Sequence, residues 1–167
     1  LCAIRVGVEV DPATVSVLLA EVPRSVVASP ALLARFPAVN TPEDLQQFPW
    51  IAISSFYQRH VELFHDATSA TARIAITPRL STDSLYVARN TALTGLGVAV
   101  VSSWTVQDDI REGRLVHLLP EWQPAALPVH LVYPWSRYYP ARLRRFLELM
   151  RQVMPEVTGM RKPVQQP

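Results

Sequence analysis

The sequence of 167 residues has little cysteine and little glycine: Cys2 is its single cysteine, and there are five glycines. One cysteine cannot form an intrachain disulfide, and it argues against a zinc cluster. Long apolar runs are missing as well, because the best candidate, near 95–104, is interrupted by Thr, Ser and Gly. The first residues show neither the basic segment nor the cleavage site of a secretory signal. We therefore expect a cytoplasmic protein without a membrane segment.

An excess of charge of one sign is also missing. There are 16 basic and 14 acidic residues, and the net charge of +2 is far from the basic footprint expected of a nucleic-acid binder. Hydrophobic residues make up 49% of the chain and charged residues 18%, which is typical of a globular protein.

The motifs of the common enzyme and metal sites do not occur. There is no G-x-S-x-G, no P-loop and no G-x-G-x-x-G. The histidines lack the spacing of metal ligands; they are His60, His65, His117 and His130. Asp108 and Asp109 point to different faces of an expected solvated helix, and Cys2, in an apolar strand, is expected to be buried and inert. We expect no catalytic residue, no metal and no cofactor.

Strand-like and helix-like segments alternate along the chain, which predicts an α/β fold with largely parallel sheets. Ser29 before Pro30, and Thr41 before Pro42, have the N-cap and first-turn residues of two short helices. A turn or short helix is expected around 57–66.

The segment "TALTGLGVAVVSSW" predicts the end of a longer helix followed by a buried strand. Ser81 or Thr82 can cap the start of that helix, and Gly95 and Gly97 are expected to end it tightly against the sheet.

An amphipathic last helix closes the chain, and we expect its apolar face to belong to the core. That face carries Leu143, Phe146, Leu147, Met150 and Met154. The residues after Pro155 are expected to be frayed.

Up to about residue 154, the chain resembles the effector-binding (substrate-binding) regulatory domain of LysR-type transcriptional regulators. The resemblance rests on the order and spacing of "AIRVG", "VASPALLAR", "TPEDL", "TALTGLGVAVVSSW", "DDIREGRLVHLLPEW" and "VHLVYPWSRYYPARLRRFLEL". Each segment alone is a weak signal, and together they are a strong one.

The resemblance implies two α/β lobes like those of type 2 periplasmic binding proteins, joined by two crossover segments near 25–29 and 115–119. Lobe I would comprise 1–27 and 116–155, and lobe II would comprise 28–115. Residues 156–167 would form a C-terminal tail.

In this family a winged helix-turn-helix, a linker helix and the opening elements of lobe I precede the "AIRVG" strand. We therefore expect lobe I to be incomplete here, with an apolar sheet edge exposed. DNA binding is expected of the parent protein through that preceding part, and the expected assembly is a homodimer or homotetramer.

Ligands of open α/β sheets bind at the carboxyl ends of strands and at helix N-termini, whose N–H groups favour anions. Both this rule and the resemblance point to three places. They are Arg5, Val6 and Gly7; Ser54, Ser55 and Phe56; and Ser81 and Thr82.

Two of these assignments have alternatives. Thr82 matches a hydroxyl that contacts effector in relatives, but Ser81 and Thr82 can also act only as helix caps. Arg5 can pair with a carboxylate effector or form a salt bridge to the scaffold.

The expected function is allosteric: a small effector such as a carboxylate, in the cleft between the lobes, alters the oligomer and so transcription. The alternatives are a solute-binding protein of a transport system, which shares the fold, and an enzyme on the same scaffold.

Overall fold

The computed structural model describes residues 2–7, 12–53 and 59–164. The strands are β1 (Ala3–Val6), β2 (Thr14–Val22), β3 (Arg24–Ala28), β4 (Trp50–Ile53), β5 (His60–His65), β6 (Thr71–Ala75), β7 (Pro78–Thr82), β8 (Val98–Ser102), β9 (Val116–His117), β10 (Trp122–Pro124) and β11 (Leu127–Pro134). The α-helices are α1 (Pro30–Leu33), α2 (Leu85–Leu93), α3 (Ser103–Arg111) and α4 (Ala141–Val153), and 3₁₀ helices span Pro42–Gln47 and Met154–Glu156. The predicted α/β fold is confirmed.

The chain divides into two compact units. Unit 1 comprises Leu1–Pro23 and Ala126–Pro167, and unit 2 comprises Arg24–Ala125. β9 belongs to unit 2 because it pairs with β3, and β10 belongs there because it pairs with β5. The predicted lobes, 1–27 with 116–155 and 28–115, stay a prediction.

Unit 2 is built on a five-stranded sheet with the order β7-β4-β8-β3-β9. β7, β4 and β8 run parallel to one another, and β3 runs antiparallel to both β8 and β9. Every residue of β3, β4 and β8 is buried. These strands carry apolar side chains on both faces of the sheet, and other elements of unit 2 cover both faces.

The two faces of this sheet have separate cores. Val27, Ile51 and Ala99 pack on the side of α2 and α3, while their sequence neighbours Val26 and Trp50 pack on the other side. That other side is covered by the 3₁₀ helix Pro42–Gln47 and by a second sheet with the order β10-β5-β6.

The expected turn or short helix around 57–66 is wrong for its second half, where β5 lies; residues 54–58 are outside the described residues. Val61 and Leu63 of β5 are buried and alternate with exposed residues, and the strand pairs antiparallel with β6 and β10. The expectation of largely parallel sheets is also wrong, because this sheet and that of unit 1 are antiparallel.

Local signals predicted the two short helices correctly. The Ser29 hydroxyl accepts a hydrogen bond from the Leu32 N–H at 3.2 Å, and Thr41 precedes the 3₁₀ helix as its N-cap. The Asp44 carboxylate accepts from the N–H groups of Asn40 and Thr41 at 2.9 and 2.8 Å, and these bonds lower the pKa of that carboxyl. The Ser29 hydroxyl thus satisfies a backbone donor that the first turn of α1 leaves unpaired, and Asp44 satisfies two donors that directly precede its 3₁₀ helix.

Gly95 and Gly97 end α2 as predicted. Gly95 has a φ of +76°, which an L residue adopts only with strain. A Cβ on Gly97 would lie 2.8 Å from the Pro49 carbonyl oxygen, so only glycine lets this corner approach β4 so closely.

Unit 1 consists of an antiparallel sheet with the order β1-β11-β2, covered on one face by α4. Leu143, Leu147 and Met150 of α4 pack on that face. Phe146 does not belong to the core as expected: it is 37% exposed and lines an open cavity with Cys2 and Leu143.

The C-terminal segment is attached to unit 1 as far as Arg161, so the expectation of fraying after Pro155 is wrong for this part. Glu21 and Arg161 exchange backbone hydrogen bonds of 3.0 and 2.9 Å, and Met160 packs against the core of unit 1.

Candidate functional site

The parallel strands of unit 2 end at one edge of the sheet, as predicted from the sequence. β4 ends at Ile53 and β7 ends at Thr82, and these two residues are paired. β8, on the other side of β4, ends at Ser102. The predicted ligand residues Ser54, Ser55 and Phe56 follow β4 directly and lie outside the described residues.

Ser81 and Thr82 are the last two residues of β7 rather than helix caps. Thr82 Oγ1 accepts a hydrogen bond from the Ser84 N–H at 3.1 Å, and Ser84 Oγ accepts from the Val87 N–H at 3.4 Å as the cap of α2. The expected cap is therefore wrong, because pairing with β4 keeps the backbone extended as far as Thr82.

Successive residues of a strand point to opposite faces, so Ser81 and Thr82 do not share one. Leu80, two residues before Thr82, packs with the core on the α2 side, which places the half-buried Thr82 on that side. Ser81 is exposed on the opposite face.

A second helix begins at the same edge. Ser102 occupies the N-cap position of α3 but its side chain makes no capping hydrogen bond. The Ser103 hydroxyl lies 2.8 Å from the hydroxyl of Ser25, which belongs to β3. The edge thus brings together hydroxyl groups and the positive ends of two helix dipoles, an arrangement that favours a ligand with negatively charged oxygens.

Sequence reasoning missed four of these hydroxyl residues: Ser25, Ser84, Ser102 and Ser103. A usable signal was present in "VAVVSSW", because two serines directly after a buried strand stand at a strand's carboxyl end. Ser25 carries no comparable signal, since its position depends on the antiparallel pairing of β3 with β8.

Asp109 holds α2 against α3. Its carboxylate is fully buried and accepts hydrogen bonds from Arg89 Nε and Nη2 at 2.6 and 2.8 Å and from Arg114 Nε at 2.9 Å. Burial raises the pKa of Asp109, the hydrogen bonds from both arginines lower it, and the net result is a pKa below its usual value.

The expected solvated aspartate pair is therefore wrong for Asp109. It holds for Asp108, which is exposed and pairs with Arg111 one turn further along the helix.

The other predicted ligand residues lie in unit 1. Arg5 and Val6 are exposed at the end of β1, opposite His130 and Val129 of β11. Gly7 is buried with a φ of +101°, and its N–H donates to the Pro128 carbonyl oxygen at 2.8 Å. Since these residues and Thr82 belong to different units, a shared ligand stays a prediction.

Cys2 is exposed, so the expectation of a buried thiol is wrong; it stands just before the edge strand β1, of which every residue is exposed. Over residues 2–7, 12–53 and 59–164, no cluster of three or more His, Cys, Asp or Glu side chains could hold a metal ion. In the same ranges, no helix has the length and apolarity needed to cross a membrane.

Known proteins resemble this chain in sequence. The transcriptional regulator PtxR of Pseudomonas aeruginosa is 31% identical over 150 residues, which cover 90% of this chain and 48% of PtxR. The transcriptional regulator DmlR of Escherichia coli is 30% identical over 161 residues, which cover 92% and 50%. The chain thus spans about half the length of the curated relatives it matches.

Solved structures share the fold. The regulatory domain of AphB from Vibrio vulnificus superposes with a TM-score of 0.70 at 22% identity, covering 91% of this chain and 74% of that one. The regulatory domain of CrgA, a LysR-type regulator from Neisseria meningitidis, gives 0.64 at 27% identity, covering 91% and 74%.

These relatives are regulators, so a transport protein is not favoured and the predicted regulatory domain is confirmed. The family model of the LysR substrate binding domain matches residues 2–155. The chain belongs to the LysR substrate binding domain family.

Proposed function

We propose that this effector-binding domain senses a small carboxylate at the edge of unit 2 where β4, β7 and β8 end. The observation that carries the proposal is the meeting of the α2 and α3 N-termini with the hydroxyls of Thr82, Ser84, Ser102 and Ser103. Helix N-termini and hydroxyl groups suit carboxylate oxygens, because both donate hydrogen bonds without bringing a full charge.

Thr82 is the residue we assign to the ligand first. It lies at the last position of β7, two residues before the cap of α2, and its side chain is half-buried rather than immersed in solvent. Ser102 is a second argument for a ligand at this edge. It is the N-cap residue of α3, but its side chain does not cap the first turn, whose N–H groups can then donate to a ligand. Ser81 has a weaker claim, since its side chain lies on the opposite face of β7.

In unit 1 we retain Arg5, Val6 and Gly7 as ligand residues, and Ser54, Ser55 and Phe56 complete the proposed set. Arg5 is exposed on an edge strand and can supply a guanidinium to a carboxylate. Its assignment rests on the family resemblance rather than on contacts within unit 1.

The output of binding is a change in DNA binding by the parent regulator. We propose that it acts without catalysis, in the cytoplasm, as a homodimer or homotetramer, and that DNA is contacted by a helix-turn-helix outside these residues. A coupling free energy of about 1–3 kcal/mol between effector and DNA is enough for such control.

A thermal-shift screen against small aliphatic and aromatic carboxylates tests the proposal. A ligand present at a hundredfold excess over its Kd stabilises the native state by about 2.7 kcal/mol. We expect the Tm increase to be lost in Thr82→Val and kept in Thr71→Val, since Thr71 is exposed in β6 and away from this edge. A Tm increase that survives in Thr82→Val, or no response to any carboxylate, overturns the proposal.

A further inference from the structure

A cavity open to solvent lies at the other end of the same sheet. It has a volume of about 450 Å³ and is lined by Ala31, Arg35, Arg79, Thr94, Gly95 and Leu96. β7 begins at Pro78 beside this cavity and ends at Thr82, while α2 runs back and ends at Leu93. The cavity is therefore separated from the proposed effector edge by the length of β7 and α2.

Two guanidinium groups, both of exposed arginines, line the cavity, and no carboxylate of the described residues does. Arg35 Nη2 donates to the Gly95 carbonyl oxygen at 2.8 Å, which fixes this side chain beside the end of α2. Arg79 takes part in no hydrogen bond or ion pair with any residue that the structure describes. Two like charges along one cavity repel each other, and an anion between them removes that repulsion.

The end of a helix dipole attracts cations, which offers a purely structural reason for arginines here. This reason accounts for Arg35, because Arg35 donates to a carbonyl at the end of α2. It does not account for Arg79, which extends from the neighbouring strand β7 and makes no such bond.

We propose that this cavity binds a small dianion, of the chemistry shared by inorganic phosphate and short dicarboxylates. Arg35 keeps four further N–H donors after its bond to Gly95, and Arg79 offers a complete guanidinium fork, which matches paired anionic oxygens. Ala31 and Leu96 form an apolar wall beside the arginines. Thr94 adds no donor, because its hydroxyl already donates to the Thr91 carbonyl oxygen at 2.7 Å.

This site does not depend on the effector proposal, since it shares no residue with the edge at Thr82. It lies directly after α2, whose first turn belongs to that edge. A dianion held here stabilises the end of α2 through Arg35 without contacting the effector.

The test is calorimetric titration of the protein with inorganic phosphate and, in a separate arm, with succinate, at constant ionic strength set by sodium chloride. We expect saturable binding of at least one of the two, and the tighter arm identifies a tetrahedral or a planar anion. Arg79→Gln removes one charge but no hydrogen bond or ion pair within the described residues, and we expect it to weaken binding about tenfold, as expected for the loss of a charge-assisted hydrogen bond.

The matched control is Arg73→Gln, since Arg73 is exposed in β6 and does not line the cavity. We expect it to bind the dianion like the unmodified protein. Equal affinity in Arg79→Gln, or no saturable binding in either arm, overturns the proposal. So does binding of duplex DNA that depends on Arg79 when neither small anion binds.

Discussion

Arg89 and Asp109 form a two-point ion pair, with Nε–Oδ2 and Nη2–Oδ1 distances of 2.6 and 2.8 Å, that joins α2 to α3. Both helices begin at the edge to which we assign the ligand. The pair therefore positions the two helix N-termini relative to each other, although neither residue lies at the edge itself.

Replacing Asp109 by Asn removes this anchor. We expect Asp109→Asn to lower the free energy of unfolding by about 2 kcal/mol, the range of a charge-assisted hydrogen bond, with Arg89 and Arg114 left partly solvated. Urea denaturation measures the change. Asp108→Asn is the control, and its exposed pair with Arg111 should contribute less than about 0.5 kcal/mol. Equal effects of the two substitutions would contradict the assignment.

The Asp109 carboxylate also makes the free energy of unfolding decrease at acidic pH. Because the pKa of Asp109 is lower in the folded than in the unfolded chain, its contribution is fully present above the unfolded value, near 3.9, and is lost as pH falls through the folded value. Denaturation curves at decreasing pH should fall less steeply in this range for Asp109→Asn than for the unmodified protein. Parallel curves would show that Asp109 titrates alike in both states.

His117 is expected to cause a second loss of stability at a higher pH. Its Nε2 is buried and, among the described residues, has no hydrogen-bond partner, and burial lowers the pKa of its imidazole. The folded chain therefore disfavours the proton, and stability falls as pH decreases through about 6.5, the unfolded value. We expect His117→Leu to remove this loss between pH 7.5 and 5.5.

His60 supplies the control for that experiment. It is exposed in β5, so His60→Leu should keep the decrease in stability between pH 7.5 and 5.5. If His117→Leu retains the same decrease as His60→Leu, the half-buried His117 imidazole is not its source.

The N-cap of α2 is Ser84 in the structure, whereas Ser81 or Thr82 was expected from the sequence. Ser84→Ala removes the hydroxyl that accepts from the Val87 N–H, and we expect it to cost about 1 kcal/mol. Ser81→Ala changes an exposed position within β7 and should cost less than about 0.5 kcal/mol. Thermal unfolding of both variants measures the difference. A larger loss of stability in Ser81→Ala than in Ser84→Ala would contradict the assignment of Ser84 as the cap.

Features that depend on neighbouring residues in the chain were predictable. The caps at Ser29 and Thr41 and the glycine corner at Gly95 and Gly97 follow from local backbone chemistry. The buried strand β8 follows from an uninterrupted apolar run between a helix end and two serines.

Features decided by distant partners were not predictable. The start of α2 depends on β7 pairing with β4, and the burial of Asp109 depends on Arg89, twenty residues earlier in the chain. The exposure of Phe146 depends on how far α4 covers the unit 1 sheet. A hydrophobic pattern predicts which face of a helix a residue lies on, but it does not predict how far the sheet beneath that face extends.

The discontinuity of unit 1 has a consequence during synthesis. β11 is the central strand of its sheet and pairs with both β1 and β2, yet it follows the whole of unit 2 in the chain. On the ribosome, unit 2 can therefore complete its contacts first, while β1 and β2 remain unpaired until β11 has been synthesised. This long interval between partner strands favours slow closure of unit 1 and makes the nascent β1 and β2 the segments most in need of a chaperone.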